Sequence, residues 1–93
     1  MAEAILSPEA SAGLDNILIY GLTHHGEVPA AAYLRGFNAA FKRLEDYPFS
    51  GQIDEETGFR RWHHRSHRIF YRVDRDVVLI VRIIHHSRDV NEI

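Results

Sequence analysis

Four arginines in the last third of the chain are spaced so that they would lie on one face of a β-sheet. Arg61, Arg68, Arg72 and Arg82 stand among alternating apolar residues within the segment 59–89. Successive side chains of a strand point to opposite faces, and tight turns between the runs would bring all four arginines to the same side. Guanidinium groups bind carboxylates or phosphates through paired N–H bonds. The spacing therefore predicts a cationic surface that receives an anionic partner.

The register of three predicted strands follows from two tight turns. The first turn takes two residues, Arg65 and Ser66, and the second takes three, residues 74–76. This register sets Arg68 directly opposite Arg82, and paired residues share a face of the sheet. The face expected to pack on helices carries Trp62, Ile69, Tyr71, Val73, Val77, Leu79, Val81 and Ile83. The other face, named here the arginine face, carries Arg61, His63, Arg68, Phe70, Arg72, Val78, Ile80, Arg82 and Ile84.

The arginine face is predicted to bind a protein partner. Like charges placed opposite one another destabilise a sheet, so the pattern needs a reason. Apolar side chains among the cations give the mixed character of an interface. The candidate contact residues are Arg61, Arg68, Phe70, Arg72, Ile80, Arg82 and Ile84. The alternative is that carboxylates from residues 54–56, or from Asp89 and Glu92, fold over the arginines and neutralise them.

The histidines raise the questions of metal binding and acid–base chemistry. His63 and His64 are adjacent on a strand and point to opposite faces, so they do not form one site with His67. We predict no metal, and no cofactor, because no phosphate-binding glycine pattern or nucleotide fingerprint is present. His85 and His86 follow the last strand, and either could serve as a general acid or base near neutral pH. The alternative is that they only cap the end of the sheet.

The first half of the chain predicts a strand and two helices. Residues 2–6 form a short apolar stretch, and Ser7-Pro8-Glu9 is a typical helix start with Ser as the N-cap. A turn is predicted over residues 23–28, and Pro29 is expected to open the second helix. That helix has an apolar stripe formed by Tyr33, Phe37, Ala40, Phe41 and Leu44. It is expected to end before a polar loop over residues 48–58.

The order of these elements predicts an α+β fold. We expect an N-terminal strand and an antiparallel two-helix hairpin packed on a small, mainly antiparallel sheet (β-α-α-β-β-β). All of it is expected to lie in one domain over residues 1–93. Tyr20, Tyr33, Phe37 and Phe41 are interpreted as core residues. The alternative for some of these aromatic residues is a groove that receives a partner helix.

Composition and charge narrow the class of protein. The sequence has no Cys, no apolar run near the ~20 residues that span a bilayer, and no basic-then-apolar signal at its start. A cytoplasmic protein is therefore expected. Residues 1–59 carry three Lys or Arg against nine Asp or Glu, whereas residues 60–93 carry eight Arg against four acids. This asymmetry favours an anionic partner for the C-terminal half.

Taken together, these segments resemble the ParE branch of the RelE/ParE toxin superfamily over nearly the whole chain. The similar segments are Leu6–Ala10, Leu14–Ile17, Tyr20, Ala32-Tyr33, Phe41–Leu44, the P-x-x-G loop Pro48–Gly51, Arg61, His67, Ile69–Val73 and Arg82–Asp89. The resemblance implies the toxin of a bacterial type II toxin–antitoxin pair, which stops growth by inhibiting DNA gyrase and is not an enzyme. It also implies a ParD-like antitoxin that wraps around the toxin and supplies the DNA contacts when the pair represses its own operon.

The other branch of the superfamily provides the alternative function, a RelE-like ribosome-dependent mRNA endonuclease. In that case the phosphate-holding and proton-carrying residues would come from Arg61, Arg68, Arg72, Arg82, His85 and His86. Two departures count against it. The arginine face has no Lys, and no Tyr follows Tyr71, where nuclease relatives tend to carry an aromatic acid–base partner.

Overall fold

A computed structural model describes residues 2–88 as one sheet with two helices on one of its faces. The elements in chain order are β1 (Glu3–Leu6), α1 (Pro8–His24), α2 (Glu27–Asp46), β2 (Gln52–Ile53), β3 (Arg60–His64), β4 (His67–Asp74) and β5 (Val77–His85). The strand order is β1-β5-β4-β3-β2, with β1 parallel to β5 and the other pairs antiparallel. This arrangement confirms the predicted α+β fold. It adds β2, which lies inside the predicted polar loop.

Ser7 connects the first strand, the first helix and the last strand. Its hydroxyl accepts a hydrogen bond from the Ala10 N–H (3.0 Å), so Ser7 is the N-cap of α1 as predicted. The same hydroxyl donates to the carbonyl of Val81 in β5 (2.6 Å), and the Ser7 N–H donates to the carbonyl of Ile80 (2.9 Å). One short side chain therefore fixes where α1 begins and how it sits on the sheet.

Replacing Ser7 by Ala is expected to lower the free energy of unfolding by about 2 kcal/mol, because the cap and the bond to β5 are lost together. Urea unfolding followed by circular dichroism measures the change. Ser11→Ala is the matched control, since Ser11 is exposed on α1 and Ala favours helix. Equal stability of Ser7→Ala and Ser11→Ala would show that the cap contributes nothing.

The helices are joined by a shorter turn than the predicted residues 23–28. α1 continues to His24, and α2 begins at Glu27, so only His25 and Gly26 separate them. Gly26 has a φ of 90°, a backbone conformation that favours glycine, which explains why the chain can reverse here. Pro29 lies in the first turn of α2 and does not open it. Neither helix is long and apolar enough to cross a membrane, and the same holds throughout residues 2–88.

The hydrophobic core lies between the helices and the sheet. α2 contributes the predicted stripe, of which Phe37 and Leu44 are fully buried, while Tyr33 packs at the margin. The sheet contributes Ile69, Tyr71, Val78, Ile80 and Ile83. Phe37 and Phe41 are therefore core residues as predicted, whereas Tyr20 is 60% exposed.

The predicted register of the first hairpin is confirmed, and that of the second is wrong. His64 pairs with His67 across the turn Arg65-Ser66. In the second hairpin Asp74 pairs with Val77, which leaves a two-residue turn, and a bulge interrupts the pairing between Phe70 and Tyr71.

The shorter turn moves the apolar residues of β5 between the two faces. Val78 and Ile80, predicted on the arginine face, are fully buried in the core. Leu79 pairs with Arg72 and so leaves the core side. Beyond the bulge the predicted faces hold again, so Ile83 is in the core and Arg82 lies on the arginine face.

Candidate partner-binding surfaces

The arginine face is built by rows of side chains that cross β3, β4 and β5. Arg61 pairs with Phe70, and Phe70 pairs with Arg82, so an aromatic residue lies between two arginines in this row. In the next row Arg68 pairs with His63 on one side and Ile84 on the other. The predicted face thus brings its four arginines together on the side of the sheet away from the helices.

Three details of the predicted face need correction. Arg68 lies opposite Ile84 and not opposite Arg82, so the two like charges do not face each other. Ile80 belongs to the core and cannot contact a partner there. Phe70 and Ile84 share the arginine face but are 0% and 4% exposed, with Phe59 packed against them and the Arg68 guanidinium 5.6 Å from the Phe70 ring centre.

The acidic loop neutralises one arginine of the face. A carboxylate oxygen of Asp54 accepts a hydrogen bond from the Arg61 guanidinium (2.8 Å), and the other oxygen accepts from the Thr57 hydroxyl and N–H. The hydrogen bond from the Thr57 side chain, supported by Arg61, lowers the pKa of Asp54. The neutralisation alternative therefore holds for Arg61. Asp89 and Glu92, the other two acids considered, lie outside the described residues.

The remaining arginines differ in how much they are engaged. A guanidinium N–H of Arg68 donates to the carbonyl of Arg88 (2.6 Å), which holds Arg68 down on the sheet. Arg82 is partly buried, and Arg72 is exposed. Arg72 is therefore the most accessible of the four cations of the face.

A second candidate surface is a groove of about 890 Å³ at the end of the helix hairpin. It is lined by apolar side chains of α1 and α2, including Ile17, Tyr20 and Tyr33. The turn Arg65-Ser66 between β3 and β4 and the end of β5 also line it. The alternative sequence interpretation, in which helix aromatics line a groove, therefore applies to Tyr20 and Tyr33.

Tyr33 and two histidines form a contact network in this groove. The Tyr33 hydroxyl lies 2.7 Å from Nδ1 of His67, and the His67 and His85 rings are 5.2 Å apart. Burial, together with the nearby charges of His85, His64 and His86, lowers the pKa of His67 to about 4. His64 packs flat against α2, where a Cβ on Gly36 would overlap its ring, and burial lowers the pKa of His64 as well.

The pKa of His67 predicts that stability falls as the pH drops from about 6.5 to about 4. In this window the unfolded chain binds a proton that the folded chain does not, so the native state loses at most about 1.4 kcal/mol per pH unit through His67. Urea unfolding at pH 7.5, 6 and 5 measures the slope. His67→Phe should reduce it, leaving the smaller part due to His64. The pKa of Asp54 is lowered from its ordinary value of 3.8, so its contribution is lost mainly below pH 5 and affects these three measurements little. A pH profile of His67→Phe parallel to that of the unmodified chain would contradict the assignment.

The residues proposed for the nuclease alternative are not brought together. His67 and His85 lie on the helix side of the sheet, because His67 pairs with His85 and contacts Tyr33 of α2. Arg61 and Arg82 lie on the opposite side, in register with Phe70. The Nδ1 atom of His86 lies 3.0 Å from the carbonyl of Ser66 at the end of the sheet. Within residues 2–88, no group of three or more His, Cys, Asp or Glu side chains is placed to hold a metal ion.

Nearly the whole chain matches the sequence profile of one protein family. The profile described as "ParE toxin of type II toxin-antitoxin system, parDE" matches residues 4–90. The chain belongs to this ParE toxin family. The finding confirms the resemblance seen in the sequence, and the protein is a toxin of a type II toxin–antitoxin system.

Individual ParE toxins and solved structures agree with this assignment. The chain is 39% identical to "Toxin ParE1" of Caulobacter vibrioides over 88% of its length and 86% of that protein. It is 33% identical to "Toxin ParE1" of Mycobacterium tuberculosis over 94% and 92% of the two chains. The structure of a "Chromosomal ParDE TA system from P. aeruginosa" has the same fold, with a TM-score of 0.79, 21% identity, and coverage of 91% of this chain and 96% of that one.

Two features of these surfaces were not predicted from the sequence. Tyr33 and His67 are 34 positions apart, and no local pattern indicates that they touch. Asp54 was considered only as one of three acids in a run. The signal that could have selected it is the Thr57 three residues later, since Asp followed by Thr at this spacing commonly forms a side-chain-capped turn.

Proposed function

We propose that this ParE toxin acts in the cytoplasm by binding and inhibiting DNA gyrase, and that a ParD-like antitoxin neutralises it. Membership of the ParE toxin family supports DNA gyrase as the proposed target. The observation that carries the binding mechanism is that the sheet separates His85, the candidate proton carrier, from Arg61 and Arg82. A protein in which His85 is held away from these arginines is suited to binding and poorly suited to phosphodiester cleavage by that histidine.

The arginine face is the proposed docking surface for the antitoxin. Arg72 and Arg82 would meet carboxylates of the antitoxin, and the covered Phe70–Ile84 cluster keeps the face rigid beneath them. Since Asp54 already pairs with Arg61, Arg61 would contribute less than the exposed Arg72. Ile80 takes no part, because it lies in the core.

Proton transfer plays no part in the proposed activity, so loss of the terminal histidines should leave toxicity intact. His85→Ala and His86→Ala are expected to arrest growth as strongly as the unmodified toxin, because both side chains are exposed and lie on the side away from Arg82 or at the sheet end. Growth curves after induced expression measure this. Abolished arrest by either variant, with an unchanged thermal unfolding curve, would count heavily against a gyrase inhibitor.

The decisive experiment measures both activities of the superfamily in parallel. Purified toxin is added to gyrase in a supercoiling assay, and to translating ribosomes in an mRNA cleavage assay. Inhibited supercoiling with intact mRNA is the expected result. Cleaved mRNA with active gyrase would reject the proposal and would make Arg72 and Arg82 candidates for phosphate binding.

A further inference from the structure

The helix layer leaves part of the sheet uncovered, and that part is apolar. The uncovered part lies at the edge strand β2, since in the neighbouring β3 both Trp62 and His64 contact α2. Tyr47, Phe49 and Ile53 lie there and are 64%, 67% and 59% exposed. Together with the partly buried Trp62 they form a surface named here the aromatic strip. Three large exposed apolar side chains within seven residues, beside Trp62, form a contiguous patch of the kind that marks an interaction site.

The aromatic strip is held rigidly in its exposed position. The buried hydroxyl of Tyr71 accepts a hydrogen bond from the Gly51 N–H and donates one to the Pro48 carbonyl, both at 2.8 Å. These bonds fix the two ends of the loop that carries Phe49. The Arg60 guanidinium stacks on the Phe49 ring, 4.9 Å from its centre, and also donates to the Gly51 carbonyl (2.9 Å). A preorganised aromatic side chain loses little conformational entropy on binding, which is typical of interface anchors.

The backbone beside the strip is also open to pairing. The Asp54 N–H donates to the Phe59 carbonyl, so the N–H and C=O of the preceding residue, Ile53, point away from β3. The opposite edge of the sheet is different. There the Glu45 carboxylate accepts from the Ala4 N–H (2.8 Å) and covers the edge of β1. Within residues 2–88, β2 is therefore the sheet edge left available to another strand.

We propose that the aromatic strip is an interface with a second copy of this chain, formed by antiparallel pairing of the two β2 strands about a two-fold axis at Ile53. In this pairing the N–H and C=O of Ile53 bond to those of Ile53 in the second copy, and the two sheets become continuous. The apolar side chains of both strips meet on the helix side of the extended sheet.

The charges around the strip favour a second copy over a different partner. Arg43 and Arg60 border it, and so do the exposed acids Glu55 and Glu56. A strongly acidic or strongly basic partner would meet like charges. In a pairing centred on Ile53, the turn over residues 55–57 of one copy follows β2 toward the Pro48–Gly51 loop of the second copy, where Arg60 is anchored. Each acidic turn therefore approaches the Arg60 of the other copy, and the surface complements itself. The arginine face remains free on the other side of the sheet.

The absence of Cys from the sequence provides a direct test. In the proposed dimer the two Ile53 Cα atoms form a hydrogen-bonded pair about 5.5 Å apart, within the range of a disulfide. The purified Ile53→Cys variant is expected to form a disulfide-linked dimer almost completely on mild oxidation. Val28→Cys is the matched control, because Val28 is 78% exposed and lies far along the chain at the start of α2. Cross-linking of both variants to the same extent would overturn the proposal.

Sedimentation velocity of the chain without an introduced Cys gives the second test. The unmodified chain is expected to dimerise at micromolar concentrations. Ile53→Lys, which places like charges at the two-fold axis, should weaken dimerisation at least about 100-fold, and Phe49→Ser at least about 10-fold. Val28→Ser should change it less than about 2-fold, and thermal unfolding verifies that each variant is folded. A monomer at all these concentrations, or an Ile53→Lys variant that still dimerises, would overturn the proposal. A monomer whose Ile53→Lys variant loses gyrase inhibition would assign the strip to the target instead.

Discussion

Arg82→Glu is expected to weaken binding of the cognate antitoxin by about 100- to 1000-fold. Arg82 is partly buried beside Phe70, so a carboxylate that reaches it is removed from water together with it. Reversing its charge leaves an antitoxin carboxylate facing a like charge in a partly desolvated setting. The exposed Arg72 pairs with less desolvation, and Arg72→Glu should weaken antitoxin binding only about 10-fold. Titration calorimetry with purified toxin and antitoxin measures both changes.

Arg35→Glu separates a local contact from a general effect of charge. Arg35 is exposed on α2, on the helix side of the molecule, and its substitution changes the net charge by the same amount. We expect the affinity of the Arg35→Glu toxin for the antitoxin to stay within about 3-fold of that of the unmodified toxin. Long-range charge mainly affects the rate of association. Unchanged affinity for Arg82→Glu would place the antitoxin elsewhere, with the groove at the end of the helix hairpin as the next candidate.

The second hairpin shows why the position of Arg82 on the arginine face could be predicted, whereas the faces of Val78 and Ile80 could not. The prediction used a three-residue turn and no bulge. In the structure the turn is one residue shorter, which exchanges the faces of Val78 and Ile80, and the bulge then adds one residue on β5. Two shifts of one residue restore the original face, so Arg82 lies where its pattern indicated. They also move the partner of Arg68 by two positions, from Arg82 to Ile84.

The bulged residue of β5, Val81, accepts a hydrogen bond from a residue that is remote in the sequence. Ser7 donates to the carbonyl of Val81, 74 positions away, and so stabilises a β5 conformation that no local pattern in residues 77–85 indicates. The helix start at Ser7 was predictable, because a cap acts on the next three residues. The first hairpin was predictable because a two-residue turn at Arg65-Ser66 sets the apolar Trp62 opposite the apolar Ile69. Two-residue β2 has no measurable periodicity, so its pairing with β3 could not be anticipated.

Gly51→Ala is expected to lower the free energy of unfolding by about 3 kcal/mol, through a steric mechanism that the sequence does not reveal. A Cβ at this position would lie 2.6 Å from the Arg61 carbonyl oxygen and 2.6 Å from the Tyr71 hydroxyl. The first is backbone of β3 and the second is a buried group that holds the loop, so neither can move without breaking hydrogen bonds.

Gly13→Ala provides a control of opposite sign for Gly51→Ala. Gly13 lies within α1, and a Cβ there would make an ordinary contact of 3.4 Å with the Ile83 carbonyl oxygen. Because Ala favours helix over Gly, this variant is expected to gain about 1 kcal/mol. Urea unfolding of both variants measures the two changes in the free energy of unfolding. Equal and small effects would show that the Pro48–Gly51 loop yields easily, and a loop that yields would not hold Phe49 in place for the proposed dimer. A large loss at Gly51 alone, accompanied by weaker dimerisation, would connect the buried hydroxyl of Tyr71 to the surface that it positions.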